Sequence, residues 1–183
     1  GRIDLAYASR EGLFVVCQEA PEERQAADGP REPRWLPARK FELRGGQTFE
    51  GALAAGDLDG DGRTDLAWVA DKGTFVLTQG DEGLASPVKH HTGSEKVLRV
   101  LVTDLDDDGR DDLALRVGDA DFPLRVRFQT SAGRLGPETR LSLSQPETLD
   151  AVQLVGPACL LSISEHIGRV PIWALATRAQ PES

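Results

Sequence analysis

The sequence is poor in the residues that carry redox and soft-metal chemistry, with two cysteines, three histidines and no methionine. Zinc and other soft metals prefer cysteine and histidine ligands, so no site of that kind is expected. Cys17 and Cys159 lie far apart, each within an apolar run. We interpret them as two small buried hydrophobic residues, with a disulfide that spans most of the fold as the alternative.

Long hydrophobic runs, basic clusters and common catalytic motifs are also missing. No apolar stretch approaches the roughly 20 residues of a membrane-spanning helix, so no transmembrane segment is expected. The net charge is −9 at pH 7, and a surface of this sign repels phosphate backbones, which argues against nucleic-acid partners. The chain has no nucleophile elbow, P-loop, HExxH or dinucleotide fingerprint, so we expect no catalytic activity from it.

Glycine and proline are abundant, with 19 and 11 copies, and they interrupt the chain at short intervals. A helical bundle would not tolerate this punctuation, so the composition favours an all-β chain. The 183 residues, 39% hydrophobic and 28% charged, are enough for one ordinary domain with its own core.

The chain repeats itself. Residues 4–18 align without a gap with residues 65–79, and a third copy, with three extra residues in its middle turn, covers residues 112–129. A fourth, weaker copy covers residues 160–176. Each copy reads as a β-hairpin, in which an apolar, β-branched run is followed by a tight turn with glycine and by a second apolar run.

Another apolar run precedes each of the last three copies, at residues 51–55, 97–102 and 149–155, and a more polar stretch follows the hairpin. One repeat is therefore strand, acidic loop, strand, turn, strand, turn and weaker strand. Four antiparallel strands per unit, in units that cannot bury both faces alone, predict an all-β fold of β-propeller blades.

Two short runs concentrate the acidic residues, and both follow the pattern D-x-D-x-D-G-x-x-D directly before a hairpin. A tightly curled loop can point positions 1, 3, 5 and 9 at one centre, with a glycine at the sharp turn and a carbonyl from position 7. The predicted metal ligands are Asp57, Asp59, Asp61, Asp65 and the backbone carbonyl of Arg63 in the first loop, and Asp104, Asp106, Asp108, Asp112 and the backbone carbonyl of Arg110 in the second.

This set of oxygen ligands suits two Ca²⁺ ions, since a water and one bidentate carboxylate complete the six to eight oxygens that calcium takes. Magnesium fits less well because it demands a near-ideal octahedron. Without a cation, carboxylates ~4 Å apart repel by ~4 kcal/mol per pair at an effective dielectric near 20.

The alternative to a calcium-binding loop is a solvated acidic turn. An EF-hand is excluded, because its last ligand stands at position 12 and helices flank its loop.

The outer copies lack a complete loop. Residues 1–6 match residues 62–67, so the chain opens inside a third such loop, of which Asp4 alone remains and cannot hold calcium well. No acid stands at residues 156–158, where the fourth loop should lie, and that unit is predicted to be metal-free. Residues 19–40, rich in proline, arginine and glutamate, are predicted to be a long surface insertion.

Residues 55–67 resemble the FG-GAP / VCBS repeat, and so do residues 102–114, in which Thr103 replaces the usual glycine. This repeat forms the blades of integrin α-subunit propellers and of many bacterial secreted proteins. The resemblance implies a β-propeller, commonly seven-bladed, with calcium in the loop that joins the first two strands of a blade. It also implies an extracellular, periplasmic or cell-surface setting.

We therefore expect one propeller segment over residues 1–183: a blade remainder 1–45 with the insertion 19–40, blades 46–93 and 94–145, and a degenerate metal-free blade 146–183. About three blades leave open edges, which sequence outside the chain or a partner must cover. The expected function is a non-catalytic calcium-binding module for extracellular protein or glycan interaction or scaffolding. The alternatives are an accessory repeat domain of a secreted hydrolase or lyase, and a purely structural spacer.

Overall fold

The computed structural model describes residues 4–18, 34–42, 45–71, 73–90, 93–142, 148–152, 159–163 and 172–174, the last three only through their backbone pairing. Every regular element in these ranges is a β-strand, which confirms the predicted all-β class. The described residues contain no helix with the length and apolarity that a membrane crossing needs.

The described strands form four antiparallel sheets of three or four strands and two small two-stranded hairpins. The four larger sheets follow one another along the chain and are here called units 1 to 4. Unit 1 contains β1 (Leu5–Ser9), β2 (Gly12–Val16) and β3 (Arg39–Phe41). Unit 2 pairs β4 (Leu53–Gly56), β5 (Asp65–Ala70), β6 (Gly73–Leu77) and β9 (Val88–Lys89), with a small hairpin of β7 (Gln79–Gly80) and β8 (Gly83–Leu84).

Unit 3 repeats the plan of unit 2. It pairs β10 (Val97–Thr103), β11 (Asp112–Val117), β12 (Leu124–Arg127) and β15 (Thr139–Leu141), with a small hairpin of β13 (Gln129–Thr130) and β14 (Arg134–Leu135). Unit 4 pairs β16 (Thr148–Val152), β17 (Cys159–Ile163) and β18 (Ile172–Ala174). The four-stranded antiparallel sheets of units 2 and 3 are consistent with propeller blades.

The hairpin turns fall where the repeat alignment predicts them. In unit 2, β5 and β6 meet at the pair Ala70–Gly73, and in unit 1, β1 and β2 meet at Ser9–Gly12. Both glycines have positive φ, +129° for Gly73 and +145° for Gly12, a conformation that side chains with a Cβ rarely adopt. The two hairpins therefore share their register as well as their sequence.

The core lies between neighbouring sheets. Every residue of β5 is buried, as expected for a strand that is covered on both faces. Leu66 and Trp68 pack with unit 1, whereas Ala67 and Val69 pack with the buried residues of unit 3. The alternation of strand side chains thus lets one strand serve two interfaces, and the sheets stabilise each other as layers.

The structure also bears on the predictions for the cysteines, the surface insertion and the metal-free loop. Within the part of the chain whose side chains are described, Cys17 is a free cysteine and is half-buried. Strand β3 begins at Arg39, inside the stretch assigned to the insertion, while residues 19–33 lie outside the described residues. Residues 156–158, the predicted metal-free loop, also lie outside them.

Gly56 lies at a close approach between units 2 and 3. A Cβ there would come within 2.3 Å of Val102 Cγ1 and 2.6 Å of Asp111 Oδ2. Thr103 holds the corresponding place in unit 3, since Thr103 pairs with Asp112 as Gly56 pairs with Asp65. The glycine is therefore required by the neighbouring unit, not by the local backbone.

We predict that Gly56→Ala lowers the free energy of unfolding by about 1–3 kcal/mol, because the added methyl group overpacks this interface. Thr103→Ala, at the corresponding strand position in unit 3, is the control and should cost less. Urea denaturation measures both. Equal losses in the two variants would contradict the close approach of the two units at Gly56.

Candidate metal centre

The last aspartate of each acidic loop is the first residue of a central strand, and its side chain is fully buried. Both oxygens of Asp65 accept backbone hydrogen bonds, from Leu58 N at 2.9 Å and from Gln79 N at 2.7 Å. Asp112 repeats this arrangement with Leu105 N at 2.9 Å and Gln129 N at 2.8 Å. Each carboxylate therefore ties the start of its loop to the far end of the following hairpin.

Unit 1 keeps part of the same arrangement. Asp4 Oδ1 accepts a hydrogen bond from Gln18 N at 2.9 Å. The repeat alignment places Asp4 with Asp65 and Gln18 with Gln79. The link between aspartate and hairpin end is thus a feature of the repeat.

The first aspartate of each loop holds the loop curled. Asp57 accepts hydrogen bonds from Gly60 N at 2.6 Å and Gly62 N at 2.8 Å. In the second loop, Asp104 accepts one from Gly109 N at 2.8 Å. These backbone bonds bend the chain back on itself, which turns alternate side chains towards one centre.

The curl brings together the carboxylates at positions 1, 3 and 5. Asp57, Asp59 and Asp61 each place one oxygen within 4.8 Å of the others, and Asp104, Asp106 and Asp108 do the same. The structure thus gathers six of the ten predicted ligands into two clusters. The roles of Asp65, Asp112 and the carbonyls of Arg63 and Arg110 stay predictions.

The half-buried position 3 residues, Asp59 and Asp106, fit a cation best. Asp106 Oδ1 is shielded from solvent and has no hydrogen-bond partner among the described residues. Burial raises the pKa of Asp106, and the charges of Asp108 and Asp104 raise it further. Burial also raises the pKa of Asp59, to which Asp61 and Asp57 add their charges. A divalent ion among these oxygens would supply the missing partner and offset the repulsion.

Position 7 contributes a side chain that the sequence analysis did not consider. Arg63 Nη2 lies 2.6 Å from Asp61 Oδ2, and Arg63 also bonds Gln79 O at 2.9 Å and Asp81 Oδ1 at 2.7 Å. Arg110 pairs in the same way with Asp108 and donates to Gln129 O at 3.3 Å. Each arginine therefore draws the position 5 carboxylate towards the small hairpin of its unit.

Two further residues connect the loops, and no role was predicted for either. Asp111 accepts a hydrogen bond from Asp57 N at 2.9 Å, and the Gln129 side chain donates to Asp57 O at 2.7 Å. A polar cleft of about 560 Å³ lies beside them and is lined by residues of both loops. The repeat alignment marked the glutamine position, since Gln18, Gln79 and Gln129 recur, but it named no partner.

Comparison with known proteins agrees with this arrangement. Residues 57–115, which contain both acidic loops, match the FG-GAP-like repeat family. The match confirms the resemblance inferred from the sequence for this part of the chain, and it suggests a repeat module of the β-propeller type. A search of the curated proteins gave no match.

The pKa of Asp112 gives a prediction for calcium-free protein. Burial, partly offset by the bonds from Gln129 and Leu105, raises this pKa from 3.8 to about 6. Between these values the folded state binds more protons than the unfolded state. The contribution of Asp112 to the free energy of unfolding therefore rises as the pH falls from about 6 towards 4, and is lost as the pH rises through 6.

Urea denaturation between pH 4 and 7 tests this, with Asp112→Asn as the variant that cannot titrate. The free energy of unfolding of the native chain, relative to that of the variant, should increase as the pH is lowered. A difference that stays constant over the range would contradict the raised pKa.

Proposed function

We propose that residues 57–65 and 104–112 are two calcium sites of a non-catalytic β-propeller module. The module would work in an extracellular, periplasmic or cell-surface setting and contact a protein or glycan partner. The observation that carries the proposal is the pair of carboxylate clusters in the same register of two repeated units. The match of residues 57–115 to the FG-GAP-like repeat supports it.

The residues proposed to hold the ions differ in how far they are already ordered. In each loop the three clustered carboxylates place one oxygen each within 4.8 Å of the others. Asp65 and Asp112 are fixed at the base of each loop by backbone hydrogen bonds, and each oxygen keeps a second lone pair for an ion. Carbonyl oxygens of Arg63 and Arg110 would add a neutral ligand to each site.

Calcium would supply charge neutralisation and a cross-link. Each proposed set of four carboxylates carries a formal charge near −4, which one Ca²⁺ halves and one nearby arginine lowers further. Because the loops connect strands of the core, holding them closed stabilises the sheets as well. Sites of extracellular modules bind at roughly 10⁻⁴–10⁻³ M, so an environment rich in free calcium would keep them filled.

The second loop offers a matched pair of variants. Asp106 belongs to the cluster, whereas its neighbour Asp107 is exposed, has φ of +61° and stands outside the cluster. Asp107 occupies the position of Gly60, which has φ of +77°, and asparagine tolerates this left-handed conformation well. Asp106→Asn and Asp107→Asn therefore remove the same charge from the same loop.

We predict that 10 mM calcium raises the free energy of unfolding by about 1.4–2.7 kcal/mol per site. In Asp106→Asn, the calcium-dependent increase in the free energy of unfolding should be smaller by the contribution of one site. Asp107→Asn should keep the full increase. Thermal or urea unfolding with calcium, with magnesium and with chelator measures the increments.

The outcomes separate ion binding from general charge effects. Equal losses in the two variants would mean that calcium acts only as screening salt. An equal increase with magnesium would contradict calcium as the preferred ion. No increase in the native chain would show that the loops are acidic turns.

A further inference from the structure

We propose that Asp111 and Gln129 are positioning residues that couple the two loops, so that an ion in one loop strengthens binding in the other. The inference rests on the proposed calcium sites and adds to them a specific path between units 2 and 3. Neither residue belongs to a carboxylate cluster.

At the first loop, both residues hold the backbone of Asp57, the ligand at position 1. Asp57 N donates to Asp111 Oδ2 at 2.9 Å, and Gln129 Nε2 donates to Asp57 O at 2.7 Å. The peptide groups on both sides of Asp57 are therefore fixed by unit 3. The direction of its carboxylate depends on that attachment.

At the second loop, the same residues adjoin the ligand at position 9. Asp111 immediately precedes Asp112, and Gln129 N donates to Asp112 Oδ1 at 2.8 Å. Gln129 Nε2 also donates to Asp111 O at 3.2 Å. The path from Asp57 to Asp112 thus contains one glutamine and one short stretch of backbone.

The central residue of the path is buried. Gln129 is only 3% exposed, whereas Asp57 and Asp111 are half-buried. Beside it, the turn at Gly133 lies against the first loop so closely that a Cβ there would come within 2.0 Å of Asp59 O. A shift of either loop therefore requires the other to move or the contacts to break.

The coupling is expected to be positive, because binding at one loop orders part of the other. An ion that fixes the second loop also fixes Asp112, Gln129 and Asp111, and so reduces the entropic cost of ordering the first loop when it binds its own ion. Direct repulsion between two divalent ions acts in the opposite direction. At 0.15 M salt the screening length is about 8 Å, so we expect the ordering contribution to prevail there.

Calorimetric calcium titration of three chains at 0.15 M salt tests the coupling. Asp108→Asn leaves only the first site intact, and Asp61→Asn leaves only the second. If the sites were independent, the native isotherm would equal the sum of the two variants' isotherms. We expect the native chain to bind the second ion with an affinity about fivefold or more above that of the independent sites, which is within the usual range of coupling between sites.

Variants of the path then assign the coupling. Gln129→Leu and Asp111→Ala should bring the isotherm back to the independent sum, while Asp111→Asn, which keeps an acceptor for Asp57 N, should retain the coupling. Gln79→Leu is the matched control, because Gln79 holds the same repeat position but faces the junction of units 1 and 2. It should leave the coupling unchanged.

Each result decides between the proposals. A native chain that binds no calcium overturns the proposed function and the coupling with it. Two ions with an isotherm equal to the independent sum overturn the coupling alone. Tighter binding that survives both Gln129→Leu and Asp111→Ala overturns the role of these two residues.

Discussion

A buried aspartate at the start of strands β5 and β11 holds each of the two complete acidic loops against its sheet. Asp65 and Asp112 are both fully buried, and each accepts two backbone hydrogen bonds from residues that are far apart in sequence. A buried carboxylate without partners would cost several kcal/mol. Bonds to a charged group return about 1.5–3 kcal/mol each. The two bonds therefore offset part of the burial cost, and the raised pKa of Asp112 reflects the part that remains.

The loops are consequently part of the core. Leu58 and Leu105, the second residues of the two loops, are buried and belong to the hydrophobic clusters of the sheets. One side of each loop packs with apolar residues while the other gathers carboxylates. A change in the charge of the cluster therefore affects the packing between units. For this reason the proposed ion would contribute to the stability of the fold as well as to the order of the loop.

The repeat itself made most of the fold and the clusters predictable. Hairpin strands, their glycine turns and the positions 1, 3 and 5 of both loops follow from local patterns that two aligned copies reinforce. The contacts between units did not follow, because they depend on how one sheet lies on the next. Gly56, Asp111 and the side chain of Gln129 act on the neighbouring unit, and no pattern within one copy identifies that partner.

The arginines show a second limit. The loop pattern assigned Arg63 a carbonyl role, which the spacing supports, but its guanidinium pairs with Asp61 and reaches the small hairpin beyond. A long flexible side chain can reach many partners, so its contact depends on which acceptors the folded chain leaves nearby. The backbone geometry was thus more predictable than the charge balance of the site.

The number of calcium ions bound by each chain tests the central claim most directly. Equilibrium dialysis at millimolar calcium, followed by elemental analysis against protein concentration, measures that number. We expect two ions for the native chain and about one for Asp61→Asn. A native chain that retains no calcium under these conditions would contradict the two proposed calcium sites.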